Sequence, residues 1–340
     1  MQKYFLGLCC LLSFELTAKV VSALIINFKD YNTESVYKTQ YIKEELKKMI
    51  EFYQLASYGI LQLHTDTQNL KIFTVTLNDE NAENRCGKRS DLAEKARKKL
   101  KNGVIPYLPY DMNNADYSIY IFPPPSFMNC SAAGYANSSG KRKMWIFSPT
   151  VRTFAHELGH NLGLDHSGSP IDKISDPTCL MGGVDPRMKN FNPVQTSKLG
   201  YLKNKFPNKI INVNTNDIKL RISPMSADPS QTLYPHIYTF TKGGEKFFIA
   251  YRANVGLDSN LLQGYSEGLS IYSNKSPGSG SNSTYYVSLE DKFNEKKVEG
   301  NFFESTKSGK HFRIIQQKLL SNGDIEFTID FNQFNPYFDN

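Results

Sequence analysis

Apolar positions recur along this chain with two different periods, and the change from one to the other divides it. Leu24-Ile25-Ile26-Asn27-Phe28 is a nearly unbroken apolar run and predicts a buried strand. Behind it Ile42, Leu46, Met49, Ile50, Tyr53 and Ala56 are spaced mostly by three and four, which predicts a helix ending at Gly59. Residues 70–77 alternate as a strand. A second helix is expected from a cap near Ser90 through Leu92, Ala96 and Leu100 to Gly103. Residues 117–122 read as a strand halted by Pro123-Pro124-Pro125. Residues 143–147 read as another, leading through Ser148-Pro149 into a further helix.

After Phe206-Pro207 the helical period disappears. Strand-like runs recur at 218–222, 237–240, 247–251, 269–272, 285–289, 312–315 and 325–331. Turn residues such as Lys242-Gly243-Gly244 and Ser321-Asn322-Gly323-Asp324 separate them, and the Gly/Ser-rich stretch 276–283 is expected to be a loop. The pattern predicts an α+β region over 24–204 and an all-β, sandwich-like region over 205–340.

Composition changes this picture little. With 340 residues, 40% hydrophobic and 21% charged, the chain has room for two domains and is neither fibrous nor disordered. The net charge is +7, but the densest basic run (Lys95, Arg97, Lys98, Lys99, Lys101) sits on a predicted helix and reads as a solvated face, so no nucleic-acid partner is indicated. Met1-Gln2-Lys3 followed by an apolar stretch over 4–14 reads as a signal peptide. Val21-Ser22-Ala23 is the expected cleavage region, giving a leader over 1–23, and Ala18 is a second candidate. No later stretch is long enough for a membrane span, so a soluble, secreted protein is expected. Cys9 and Cys10 leave with the leader. Cys86, Cys130 and Cys179 then allow one disulfide and one odd thiol, with the pairing open. Sequons at Asn129, Asn137, Asn274 and Asn282 are weak support for export.

The chemistry is concentrated in His156-Glu157-Leu158-Gly159-His160-Asn161-Leu162-Gly163-Leu164-Asp165-His166. Residues four apart share a helix face, so His156 and His160 can present two imidazoles to one Zn2+. Glu157 lies one residue along, within reach of an attacking water without ligating the metal. Gly163 can adopt a left-handed conformation that turns the chain back and brings His166 round as third ligand. The fourth position is then left for water, as in catalytic rather than structural zinc sites.

This pattern resembles the metzincin zinc peptidases. Cys179-Leu180-Met181-Gly182-Gly183 is similar to their Met-turn, which implies that Met181 packs under the metal without ligating it. Within that group the chain resembles the gametolysin-like (M11) peptidases. The outer motifs that carry this are Ser57-Tyr58-Gly59, Cys130 with Ala133-Gly134-Tyr135-Ala136, Trp145-Ile146, Phe191-Asn192-Pro193, Leu199-Gly200-Tyr201, Tyr251-Arg252 and Leu257-Asp258-Ser259. Tyr201 stands where the family commonly has Trp, and Gly183 stands where two other metzincin branches carry a tyrosine ligand.

The resemblance implies a zinc metalloendopeptidase with one catalytic Zn2+ on His156, His160 and His166, and Glu157 as general base. It also implies an edge strand over 132–137, with Ala133, Gly134 and Tyr135, that holds an extended peptide. Side-chain preference would come from the region 181–188. The expected substrates are proteins or peptides, in particular extracellular glycoproteins of walls or matrices. Arg85-Cys86-Gly87 resembles a cysteine-switch tripeptide, but a Cys86–Cys130 disulfide is the stronger expectation, with Cys179 the other contender. Two rivals remain: a secreted binding or adhesion module on an inactive peptidase fold, and a structural zinc site with Cys179 or Asp165 as fourth ligand.

Overall fold

The computed structural model describes residues 18–64, 72–103, 112, 115–137, 142–168, 176–183, 186–213, 218–242, 245–261, 268–273, 284–289, 302–304 and 311–330. Its architecture mixes helices and strands. The first sheet is built on β1 (Lys19–Phe28), which is followed by α1 (Thr33–Val36) and α2 (Thr39–Ala56). Next come β2 (Leu63–His64), β3 (Ile72–Leu77), α3 (Arg89–Gly103), β4 (Tyr117–Ile121) and α4 (Pro125–Met128). The short β5 (Gly134–Ala136) and β6 (Lys143–Ile146) precede α5 (Val151–Asn161). Strands run in the order β2-β1-β4-β6-β5, with β3 also paired to β1. All pairs are parallel except β5 on β6, so the sheet ends on one antiparallel strand.

The unbroken apolar run of β1 follows from burial on both sides. Ala23 and Ile25 join Leu46, Met49 and Tyr53 of α2 and Phe154 and Leu158 of α5 in one core. Leu24, Ile26 and Phe28 face the other way, into a core with Leu92, Ala96 and Leu100 of α3. The helix expected from Ser90 begins one residue earlier, because a 3-10 turn over Cys86–Lys88 feeds directly into it. The start of β1 bears on the leader expected over 1–23. Residues 1–17 lie outside the described residues, but Lys19 to Ala23 are already paired with β2, β3 and β4.

Beyond α5 come β7 (Ser167–Gly168), α6 (Pro193–Leu199) and α7 (Tyr201–Lys205), then, among the described residues, strands and single turns of 3-10 helix. β8 (Ile210–Asn212), β10 (Ile237–Lys242), β11 (Glu245–Arg252), β12 (Gly268–Ser273) and β13 (Thr284–Leu289) form a sheet in the order β7-β13-β12-β11-β10-β8. β9 (Ile218–Ile222), β14 (Phe302–Glu304), β15 (His311–Leu319) and β16 (Ile325–Asp330) form a second, in the order β14-β15-β16-β9. All seven strands expected here are present; β8 and β14 are additional, each only three residues long.

Alternation decides what each face of the six-stranded sheet touches. Phe240, Ile249 and Ile271 meet Ile222, Phe327 and Ile329 of the four-stranded sheet. Ile237, Phe248, Ala250 and Tyr272 instead meet Val194 of α6 and Leu202 of α7. The two halves of the chain thus interlock: β7 is an edge strand of a sheet otherwise built from residues beyond 209. The loop expected over 276–283 lies outside the described residues. Cys86 and Cys130 are joined in a disulfide, and Cys179 is a buried free thiol. Among the described residues no helix is long and apolar enough to cross a membrane.

Candidate metal centre

α5 is fixed at both ends and along its buried side. At its start the Thr150 side chain accepts from the Thr153 amide, and the Val151 amide donates to Glu45 Oε2 of α2 at 2.6 Å. A carboxylate there meets the positive end of the helix dipole. The Tyr53 hydroxyl donates to the Ala155 carbonyl at 2.7 Å. At the other end Gly163 takes φ +88°, the left-handed value that a side chain would strain, and the Leu164 amide reaches back to the Gly159 carbonyl. That reversal carries the chain to His166.

The three imidazoles converge. Their ring centroids stand 4.9 Å (156–160), 5.3 Å (156–166) and 4.7 Å (160–166) apart, and each offers a ligand atom within 4.8 Å of the others. Nδ1 of His156 is 2.9 Å from the Leu180 carbonyl, and Nδ1 of His160 is 2.8 Å from the Leu164 carbonyl. A carbonyl only accepts, so in both rings the proton sits on Nδ1 and the Nε2 lone pair is free. Nε2 of His160 lies 3.2 Å from Nε2 of His166. Two nitrogens at about 2.0–2.1 Å from a tetrahedral ion stand roughly 3.3 Å apart, so this donor set fits a zinc-sized cation.

Electrostatics favour the same state. Burial holds His156 down at about 3, with His160 adding repulsion, and holds His166 at about 4 for the same two reasons. His160 is lowered too, chiefly by burial. All three rings are therefore neutral near pH 7, the form that binds metal. Glu157, next to His156 on α5, has its carboxylate against Gly134 of β5. Burial pushes its carboxyl up to about 8 against the opposing pull of Arg152, and its Oε2 is buried with no hydrogen-bond partner among the described residues.

Met181 is fully buried against Gly159, where an added Cβ would fall 2.5 Å from the Met181 sulfur. Its turn is tied to α5 by the Arg152 guanidinium, which donates to the Gly182 carbonyl, and by the bond from Leu180 to His156. Gly134 begins the edge strand β5, and Tyr135 lies within it. Ala133 stands just before it, its carbonyl accepting from the Phe147 and Ser148 amides. Gly134 has a second task that the sequence did not suggest. A Cβ there would lie 2.9 Å from both Cγ and Oε1 of Glu157, so its bareness makes room for that carboxylate.

The suspected fourth ligands are engaged elsewhere. Asp165 pairs with Lys198 at 3.0 Å. The Cys179 sulfur accepts from the Met181 and Asn192 amides, and burial pushes its thiol up to about 12. Cys86, the candidate switch thiol, is in the disulfide with Cys130. Sequence reasoning did not identify Glu45, Tyr53 or Arg152 as residues that hold α5 and the turn beside it. None of them lies in a metal-ligand pattern; only the fold brings them there.

Residues 27–298 match the family described as gametolysin peptidase M11. No curated protein matches the chain. Solved structures similar to it include wild-type OgpA from Akkermansia muciniphila in two crystal forms. One has a TM-score of 0.41 at 13% identity, covering 92% of this chain and 93% of that one; the other has 0.37 at 13%, covering 93% and 94%. Catalytically inactive OgpA in complex with an O-glycopeptide, glycodrosocin, gives 0.38 at 12% identity, covering 92% and 93%. Likenesses this slight assign neither fold nor substrate.

Proposed function

Since this chain belongs to the gametolysin M11 family of peptidases, we propose that it is a secreted zinc-dependent endopeptidase of metzincin type. His156, His160 and His166 hold one Zn2+, and Glu157 is the general base. The observation that carries this reading is the inward convergence of three neutral imidazoles, two of them locked by carbonyls into the metal-binding tautomer.

A zinc ion bound there supplies Lewis-acid polarisation of a scissile carbonyl and acidification of water. The chain's own residues do the rest. Glu157, buried and with an unengaged oxygen, takes the proton of the attacking water and hands it to the leaving amine. β5 lies at the sheet edge and offers backbone groups to an extended peptide running beside it. Gly134 keeps the space that the Glu157 carboxylate occupies. Met181 and the turn around it support the histidines from below.

Division into a peptidase region over 24–204 and a sandwich-like region over 205–340 belongs to the same proposal, as do export and action on extracellular glycoproteins. The rival reading, an inactive peptidase fold used for binding, is separated by one experiment. Zinc content and hydrolysis of a generic protein substrate are measured for the wild type and Glu157→Gln. The expected result is one zinc in each and a loss of roughly 10²–10⁴-fold in kcat for the variant. A zinc-loaded wild type that cleaves no protein substrate would move the assignment to the binding module.

A further inference from the structure

Two residues quoted from the outer motifs, Arg252 and Asp258, have no part in the chemistry just described, yet both are fully buried. Arg252 stands at the end of β11. Its Nε donates to Asp258 Oδ2 at 2.7 Å and its Nη2 to Asp258 Oδ1 at 2.6 Å. Nη2 also donates to the Thr178 carbonyl at 2.8 Å, and Nη1 to the hydroxyl of Tyr272, on β12, at 3.3 Å. That hydroxyl is 2.6 Å from Thr178 Oγ1. A buried ion pair is no better for stability than well-packed apolar side chains. A guanidinium does have donors in a rigid fork, which fixes the direction of whatever carbonyl it holds.

Two hydrogen-bonded paths lead from this pair to the metal ligands. In the first, the Asn190 amide donates to Asp258 Oδ1 at 3.3 Å, the Leu180 amide donates to the Asn190 carbonyl at 3.2 Å, and the Leu180 carbonyl orients His156. In the second, the amide and hydroxyl of Thr178 both donate to Asp176 Oδ1. Asp176 Oδ2 accepts from Ser167 Oγ at 2.5 Å, one residue past His166. The Asn192 amide group joins at the Ser167 and Asp176 end, and the Ser167 amide donates to the Met181 carbonyl.

We propose that Arg252, Asp258 and Tyr272 are positioning residues of the metal centre, holding the Met181 turn from the second sheet and orienting His156 and His166 through it. The proposal rests on the metallopeptidase reading. Removing support of this kind weakens metal binding without touching a ligand.

The test uses the full-length protein with Zn2+ and Co2+ as probes, because Co2+ absorption reports the geometry of its ligands. Tyr272→Phe keeps the ring and removes one link, and Asp258→Asn removes the charge. Ile271→Val, on the opposite face of the same strand, is the control for a plain loss of packing. Folding is followed by circular dichroism and Tm. Both network variants are expected to stay folded, to bind zinc about tenfold or more weakly, and to show an altered Co2+ spectrum. Their kcat falls while KM is kept. Ile271→Val lowers Tm and leaves the Co2+ spectrum as in the wild type. A folded Tyr272→Phe protein with wild-type zinc affinity and Co2+ spectrum overturns the positioning role alone. A wild type that takes up neither ion overturns the metallopeptidase reading and this proposal with it.

Discussion

At the scale of single residues, the site is a set of groups whose neighbours decide their protonation. Glu157 is raised from 4.5 to about 8 by burial, so in the metal-free protein it keeps its proton near neutrality. A folded-state value above the unfolded one means that its contribution is complete below about 4.5 and is lost as pH rises through about 8. Metal-free Glu157→Gln is therefore expected to be more stable than metal-free wild type above pH 8, and no less stable at pH 4. Buried His236 behaves in the opposite sense. Burial lowers it from 6.5 to about 4, and its ring is held by the Met225 carbonyl and the Thr232 hydroxyl. Its contribution is complete above 6.5 and lost as pH falls to 4, so His236→Gln flattens the acid limb of a Tm-against-pH curve. Gly134 belongs at this scale too. In Gly134→Ala the new methyl pushes the Glu157 carboxylate aside, and we expect kcat to drop by about 10²-fold with zinc affinity retained. Unchanged kcat in that variant would mean that the carboxylate has another place to go.

At the scale of elements, the periods in the sequence were enough for most of the framework. β1, β3, β4 and β6, the helices α2 and α3, and seven strands of the second half all lie where apolar spacing put them. What spacing did not show is α6 and α7, which are short and packed on a sheet rather than amphipathic over several turns. It also did not show where β1 starts. Lys19 donates its amide to the Gln62 carbonyl and pairs its ammonium with Asp116, whose other oxygen accepts from the Val20 amide. Cleavage after Ala23 would strip these contacts and the whole pairing with β2. For the export proposed above, we expect cleavage after the second candidate, Ala18, so that the processed chain begins at Lys19. N-terminal sequencing decides, and a start at Leu24 would show that β1 tolerates the loss of its first half.

At the scale of the whole molecule, the two halves do not meet as separate bodies. β7 follows His166 directly and joins β13, and the Arg252–Asp258 pair reaches back to the Thr178 carbonyl. A fragment ending at residue 204 would lose the partner of β7 and expose the apolar faces of α6 and α7. It is expected to aggregate or to bind zinc far more weakly than the full chain, as isothermal titration would register. A cooperative, zinc-binding fragment would show that the sheet beyond 209 is dispensable.

The sequence by itself singled out the three histidines proposed as ligands, because helical periodicity alone places His156 and His160 on one face and Gly163 is a local signal for the reversal that returns His166. It determined the longer strands and helices for the same reason: each depends on spacing within a short window. Only the tertiary structure decided that Cys86 bonds Cys130 while Cys179 stays a buried thiol. It alone showed that Gly134 makes room for Glu157, and that Arg252 supports a turn some seventy residues earlier in the chain. These depend on distances between segments far apart in sequence, and such distances exist only once both cores have closed.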